Sequence, residues 1–332
     1  MTRASHGRGA PVVVLILTTT LIAGCASLSA NVTPVIDKAL SPSTTTTSAT
    51  PTTTVHVGPC DPKKSLRWVG PVPQPGAMPA GSYMRTIFQR GLLTVGVDQT
   101  TLFFGYRIPQ TGEIDGFDIA LAREIARAIF GDPTKIELKA VTTDQRLPVV
   151  ESGLVDMVAS QVTATCARRQ AVDLSTIYYL AHQKLLVRKG GSISSVADLN
   201  GKKVCATAGS TSFANIKKLA PGAVLYPVAV RADCLVALEE GWVDAITSDD
   251  TILLGFEAQD PNNTQILPAE LEDEPYALAT SKAHPEFGQF VNGVLDQLRA
   301  SGRLEQLYRQ YLNRSDVGFV PPAAPPPASY QD

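Results

Sequence analysis

Histidine is scarce in this sequence, four in 332 residues, and the shortage narrows the chemistry at once. The five cysteines stand at 25, 60, 166, 205 and 234. No two of them have the spacing of a compact ligand pair, so a zinc site is excluded and neither metal nor cofactor is expected. His182 and His284 lack the serine or cysteine partners that a catalytic dyad needs. No basic field is present, with 29 Lys and Arg against 31 Asp and Glu, which excludes nucleic acid as a partner. No apolar run reaches the length that crosses a bilayer. What is there is an ordinary globular composition, 44% hydrophobic with a net charge of −2, and enough chain for one large or two medium domains with real cores.

The ends differ from the middle. Arg3 and Arg8 precede an apolar stretch, 11–23, that is too short to span. It closes on Ile22-Ala23-Gly24-Cys25, which resembles a bacterial lipobox. That resemblance implies removal of 1–24 and lipidation of Cys25; each methylene buried in the bilayer contributes roughly 0.8 kcal/mol to the anchor. The expected location is extracytoplasmic, lipid-anchored to the cell membrane. From 25 to about 81 the chain is expected to be linker, with SPSTTTTSATPTTT at its centre and the same character continuing through 71–79, because Thr, Ser and Pro cannot bury a core. Residues 314–332 form a proline-rich tail, expected to be disordered or to lie on the surface.

Export to an oxidising compartment makes the other four cysteines disulfide candidates, with three possible pairings. Cys205 and Cys234 both fall in the second half, one on a strand and one at a helix start, and are expected to pair. That leaves Cys60 with Cys166. On the chain-entropy account the loops they close are worth about 3.5 and 4.7 kcal/mol.

Between the ends, strands alternate with helices, which argues for a parallel α/β sheet. The stretch 155–179, VDMVASQVTATCARRQAVDLSTIYY, organises it. An apolar strand over 155–159 gives way to Ser160, Gln161, Thr163 and Thr165. Thr165 is placed to cap a helix whose first turn carries Arg168. A cation there opposes the helix dipole, so an anion is expected to offset it. Strand, hydroxyls, helix start and arginine together read as a carboxylate-binding corner. The same logic recurs where KVCAT runs into Ala208-Gly209-Ser210-Thr211-Ser212, ahead of a helix expected over 213–219. Further helices are expected to be capped by Asp118 and to run over 286–298 and 303–311. The acidic run at Glu270, Glu272, Asp273 and Glu274 reads as a solvated loop.

The ordered motifs GFDIALAREIA (116–126), RLPVVESGLVDM (146–157), TATCARRQAVDLSTIYY (163–179), SVADLNGKKVCATAGSTS (195–212) and ALEEGWVDAITSDD (237–250) resemble the polar amino-acid solute-binding proteins of ABC importers, family 3, of the glutamine/glutamate/aspartate type. The likeness covers about 82–313. It implies an α/β fold of the two-lobe, periplasmic-binding-protein type (type II), with two crossover strands as hinge near 179–183 and 274–278. Lobe 1 is then 82–180 plus 274–313, and lobe 2 is 181–273.

The resemblance also implies a site. Arg168, supported by Thr163, would take the ligand α-carboxylate together with backbone N–H groups of Thr211 and Ser212. Asp249 would take the α-ammonium, with Asp250 as the near alternative. Arg146 stands where binders of acidic amino acids carry an arginine toward the ligand side chain. Asp98 stands where glutamine and basic-amino-acid binders carry an acceptor, or else pairs with Arg146. Gln161 replaces a usual glycine, and Phe103, Phe104 or Tyr106 would pack on the ligand. The expected function is capture of Glu or Asp, or of Gln or Asn, by lobe closure, and delivery by a monomer to a membrane permease. The alternative is a sensor whose closed form a membrane signalling protein reads. With both α-group binders retained, no enzymatic activity is expected.

Overall fold

The computed structural model describes residues 60–313 and 324–331. Cys25, the segment 1–24 and the linker up to residue 59 lie outside the described residues, as does most of the tail. The chain divides into units 1–56 and 57–332, and everything described belongs to the second.

Helix α1 (Tyr83–Arg90), capped by Ser82 and closed by left-handed Gly91, leads into β1 (Leu93–Val97). A small antiparallel sheet follows, β2 (Thr100–Thr101), β3 (Gly105–Arg107) and β4 (Ile114–Asp115). The next helix, α2 (Phe117–Phe130), starts at Gly116 and not at Asp118. Gly116 has φ 139°, and a Cβ there would overlap the Phe104 carbonyl, so the close approach requires glycine. Asp118 lies inside the first turn, buried. After β5 (Ile136–Ala140) and α3 (Arg146–Glu151) comes β6 (Met157–Thr163). This strand runs four residues past the expected apolar run, so Ser160, Gln161 and Thr163 are strand residues, and β6 is buried throughout.

The chain continues through α4 (Cys166–Ala171), β7 (Val172–Leu174) and β8 (Tyr179–Arg188). Beyond β8 come β9 (Lys203–Thr207), α5 (Thr211–Leu219), β10 (Val224–Val228), α6 (Asp233–Glu239), β11 (Ala245–Asp249), α7 (Asp250–Gln259) and β12 (Thr264–Ile266). The long strand β13 (Glu272–Ser281) then returns, followed by α8 (Pro285–Ala300) and α9 (Arg303–Leu312).

The main sheet runs β10-β9-β11-β8-β13-β6-β1-β5, with β12 on β8 and β7 on β13. Toward each end of the sheet the strands pair in parallel; the inner ones, β1, β6, β9 and β11, are almost wholly buried, whereas the edge strands β5 and β10 are largely exposed. On one side α2, α8 and α9 pack a core around β1 and β6, with Ile119, Ile125, Phe287 and Leu307 buried. On the other, α6 and α7 cover one face of β9 and β11, and α5 covers the opposite face. The halves are joined by the two ten-residue strands β8 and β13, which pair antiparallel from Glu272↔Gln183 to Tyr276↔Tyr179, the stretches expected to cross over. The fold is the two-lobe, type II periplasmic-binding arrangement.

Two findings differ from the expected linker and tail. The packed structure begins well before residue 82: Val72 and Met78 are buried, Trp68 sits edge-on to Phe290 at 6.0 Å, and Gly76 N–H donates to Ile129. Apolar residues scattered among the prolines of 71–79 supply the burial that composition alone concealed. The far end of the tail is also docked, with Tyr330 buried, bridged to Ser65 and under the Arg67 guanidinium at 4.1 Å. Both disulfides form as expected, Cys60–Cys166 and Cys205–Cys234. The first ties the start of the packed chain to the first residue of α4.

Candidate functional site

Two strand-to-helix corners meet beside the paired crossover strands. At the first, β6 ends on Thr163 and the Thr165 hydroxyl accepts the Arg168 N–H at 3.1 Å, capping α4. Arg168 is thereby turned back into the protein. Its Nη1 donates to Thr163 O at 2.9 Å, and its Nη2 donates across to Gly209 O of the other lobe at 3.2 Å. Burial lowers its pKa, while the nearby carboxyls of Glu274 and Asp249 act in the opposite sense.

At the second corner, Ser210 caps α5 by accepting the Phe213 N–H at 3.0 Å. The helix begins two residues earlier than expected, so Thr211 and Ser212 are its first two residues, whose N–H groups have no acceptor within the helix. Their hydroxyls each take an acid: Thr211 donates to Glu274 at 2.6 Å and Ser212 to Asp249 at 3.0 Å. Gly209, with φ +74°, makes the approach possible, because a Cβ there would lie 2.9 Å from the Asp144 Cα of the facing lobe.

Asp249 ends β11 and also accepts from Tyr276 at 2.6 Å, whereas Asp250 turns away to His182 at 3.4 Å. The geometry thus separates the two aspartates, and Asp249 is the one beside α5. Proximity to Asp249 adds to burial in pushing the Tyr276 phenol well above its ordinary range.

Gln161 adopts φ 44° where the β6–β13 register slips between Ala277 and Ala279, a bulge. Buried Asp118 holds it there, accepting from the Gln161 backbone N–H at 3.0 Å and from its side-chain amide, and from the Tyr178 hydroxyl at 2.6 Å. Burial pushes Asp118 up to about 6, against the opposing effect of those hydrogen bonds.

Arg146 is buried and bonded to backbone: Nε to Thr143 O at 2.9 Å, Nη1 to Ser160 O and Gln161 O at 2.8 and 2.9 Å. It clamps the bulge, and Nε and Nη1 are both spent on carbonyls. Burial, reinforced by Arg168 and Arg231, pushes its pKa well down. Asp98 does not pair with Arg146. It pairs with Arg231 at 3.0 Å and accepts from Thr100 and Thr101. Among the aromatics, Phe104 is not a ligand face, because it is fully buried against Phe117, Tyr179 and Tyr276.

Sequence reasoning missed two residues. Glu274, grouped with the solvated acids, is fully buried on β13 and accepts from the Thr163 and Thr211 hydroxyls at 2.5 and 2.6 Å, one from each lobe. Burial, and then the charge of Asp249, raise its pKa to about 8. Its neighbours Glu270, Glu272 and Asp273 are exposed, as read. The signal was its place directly before Pro275-Tyr276, on the expected crossover. Arg231, between β10 and α6, is the second; a lone cation just before a helix start was the available sign.

Two cavities adjoin this region. One of about 170 Å³ is lined by Asp144, Arg146, Arg168 and Gly209, and one of about 110 Å³ by Asp98, Thr100, Thr142 and Arg231; Thr143 lines both.

The family model of the bacterial extracellular solute-binding proteins, family 3, matches residues 93–314. The chain is 38% identical over 221 residues to the ABC transporter glutamine-binding protein GlnH of Bacillus subtilis, covering 66% of this chain and 81% of that one. It is 29% identical to the glutamate-binding protein GluB of Corynebacterium glutamicum, over 73% and 85%. Among solved structures it resembles an ancestral arginine-binding protein bound to glutamine, with a TM-score of 0.63, 33% identity, and coverage of 68% and 99%.

Proposed function

We propose a function from one premise: the chain belongs to the bacterial extracellular solute-binding proteins of family 3. In this reading it captures glutamine or glutamate, and with them aspartate and asparagine, between residues 82–180 with 274–313 and residues 181–273. It then hands the ligand to the membrane permease of an ABC importer. The names of relatives that bind glutamine and glutamate support the ligand class.

The observation that carries the reading is the meeting of the two corners, Arg168 reaching Gly209 at 3.2 Å and Thr163 reaching Thr211 at 3.3 Å. A free amino acid must lose water from both charged ends on entering a cleft, so each end needs a paired and hydrogen-bonded partner. Arg168 and the open N–H groups of Thr211 and Ser212 suit a carboxylate. Asp249 suits an ammonium. Because these groups come from both lobes, a ligand that touches all of them favours the closed arrangement, with β8 and β13 as the hinge. Arg146 contributes charge near the ligand side chain and holds Gln161 in place. Lipidation of Cys25 would keep the protein on the outer face of the cell membrane, beside its permease.

Calorimetric titration of the purified protein with Gln, Glu, Asp and Asn tests the reading. Heat with Gln or Glu is expected, and no heat with any of the four sinks it. Cys25→Ala should move the protein to the soluble fraction with unchanged affinity. Retention at the membrane would overturn the anchor.

A further inference from the structure

We propose that Arg231 sets the charge preference of this cleft: by holding Asp98 in an ion pair across the lobes, it turns a site with an acid ready for a cationic side chain into one that takes an amide or a carboxylate. The inference rests on the amino-acid-binding reading above and deepens it.

Arg231 projects from the β10–α6 loop of one lobe, and every partner of its guanidinium lies on the other. These are Asp98 at 3.0 Å, Thr101 Oγ1 at 3.0 Å, Thr143 Oγ1 at 3.3 Å and the Gln161 amide oxygen. Both members of the pair are withdrawn from water, Arg231 6% and Asp98 7% exposed. The acid is fully subscribed. Its Oδ1 accepts from the Thr100 N–H and hydroxyl, and its Oδ2 from the Thr101 hydroxyl and Arg231. A ligand ammonium or guanidinium could reach Asp98 only by displacing Arg231, which would leave a desolvated cation without its counter-charge.

The local charge points the same way. Arg168 and Asp249 answer the two α groups of a ligand. Around the remaining end stand Arg146 and Arg231 with two acids, Asp98 and, behind Gln161, Asp118, and both acids are already engaged by donors. A ligand cation entering there meets two guanidiniums and no free carboxylate, whereas a ligand carboxylate or amide oxygen meets the guanidiniums. Gln161 is fixed as part of the arrangement. Its amide nitrogen donates to Asp118, so its oxygen must face Arg231. Without Arg231, Asp98 would be a buried, unpaired carboxylate on the 110 Å³ cavity, and a cationic side chain is what such a group demands.

The test is calorimetry on the full chain with glutamine, glutamate and arginine, for the wild type, Arg231→Met and Arg231→Lys. The wild type should bind glutamine or glutamate and show no arginine heat. Arg231→Met should gain arginine binding by about tenfold or more over the wild-type limit and lose glutamate more than glutamine. Arg231→Lys should restore the wild-type order. If Arg231→Met lowers glutamine and glutamate equally and gains no arginine, Arg231 is only a cross-lobe latch and the proposal falls while the binding function stands. If the wild type binds none of the three, this inference falls, and the function falls with it when aspartate and asparagine give no heat either. Should Arg231→Met fail to fold by circular dichroism, Asp98→Asn answers the same question. It should raise the glutamate-to-glutamine affinity ratio by freeing Arg231, and an unchanged ratio overturns the proposal.

Discussion

The two corners of the cleft share a plan and divide the labour. Each is a buried strand running into small polar residues, a Ser or Thr cap and a helix start. The corner at Thr163–Arg168 spends its short helix, none of whose residues is buried, on placing one guanidinium. It needs external support: the disulfide at Cys166, the Arg146 clamp and the Asp118 anchor under Gln161. The corner at Gly209–Ser212 opens a nine-residue helix with buried Ser212 and Ile216, and it offers backbone N–H groups instead of a charge. A charge must be held against its own desolvation, so it comes with scaffolding, whereas a helix start is polarised by its own backbone and needs only a cap.

The division predicts unequal losses. Arg168→Ala should weaken every ligand by at least about a hundredfold, the scale of stripping one partner from a buried charge pair. Ser212→Ala, which removes a hydroxyl and leaves the N–H in place, should cost about 1 kcal/mol, or roughly fivefold. Equal losses by calorimetry would break the contrast between charge and dipole.

The acid shared by both corners gives a pH signature. Glu274 has a folded pKa of about 8 against an ordinary 4.5. Between those values the folded protein holds a proton that the unfolded chain has released, so this group's contribution to stability is complete below about 4.5 and is lost as pH rises toward 8. The Tm difference between wild type and Glu274→Gln should therefore shift against the wild type from pH 5 to pH 8. A constant difference would show that Glu274 does not bind that proton.

The smallest effects sharpen the comparison most finely. Ser210→Ala should cost about 1 kcal/mol of stability, the worth of an N-cap. Thr165→Ala should cost less, because Cys60–Cys166 pins the same helix start, and its cost should rise when both cysteines are replaced by Ser. An additive result in denaturant titrations would mean that cap and disulfide act independently.

Much of this was legible in the chain. The Thr165 cap and the paired cysteines follow from hydroxyl placement and export, and the crossover stretches from the resemblance of the ordered motifs to a known family. Packing reversed other readings. The prolines of 71–79 looked like linker because Val72 and Met78 are buried in a core shared with α2 and α8, which lie much farther along the chain. Asp118 looked like a cap because local pattern cannot tell a helix's first turn from a buried acid waiting for Gln161 and Tyr178. Glu274 looked solvated because its neighbours are.

By itself the sequence determined the elements and the groups at their ends, since strand periodicity, caps and glycine turns act over a few residues. Which acid meets which base was decided only by the tertiary structure. Asp98 and Arg231 are 133 positions apart, and nothing local distinguishes Arg231 from Arg146 as the partner. Their pairing follows from how the two lobes come together around β8 and β13, where two charges withdrawn from water must satisfy one another.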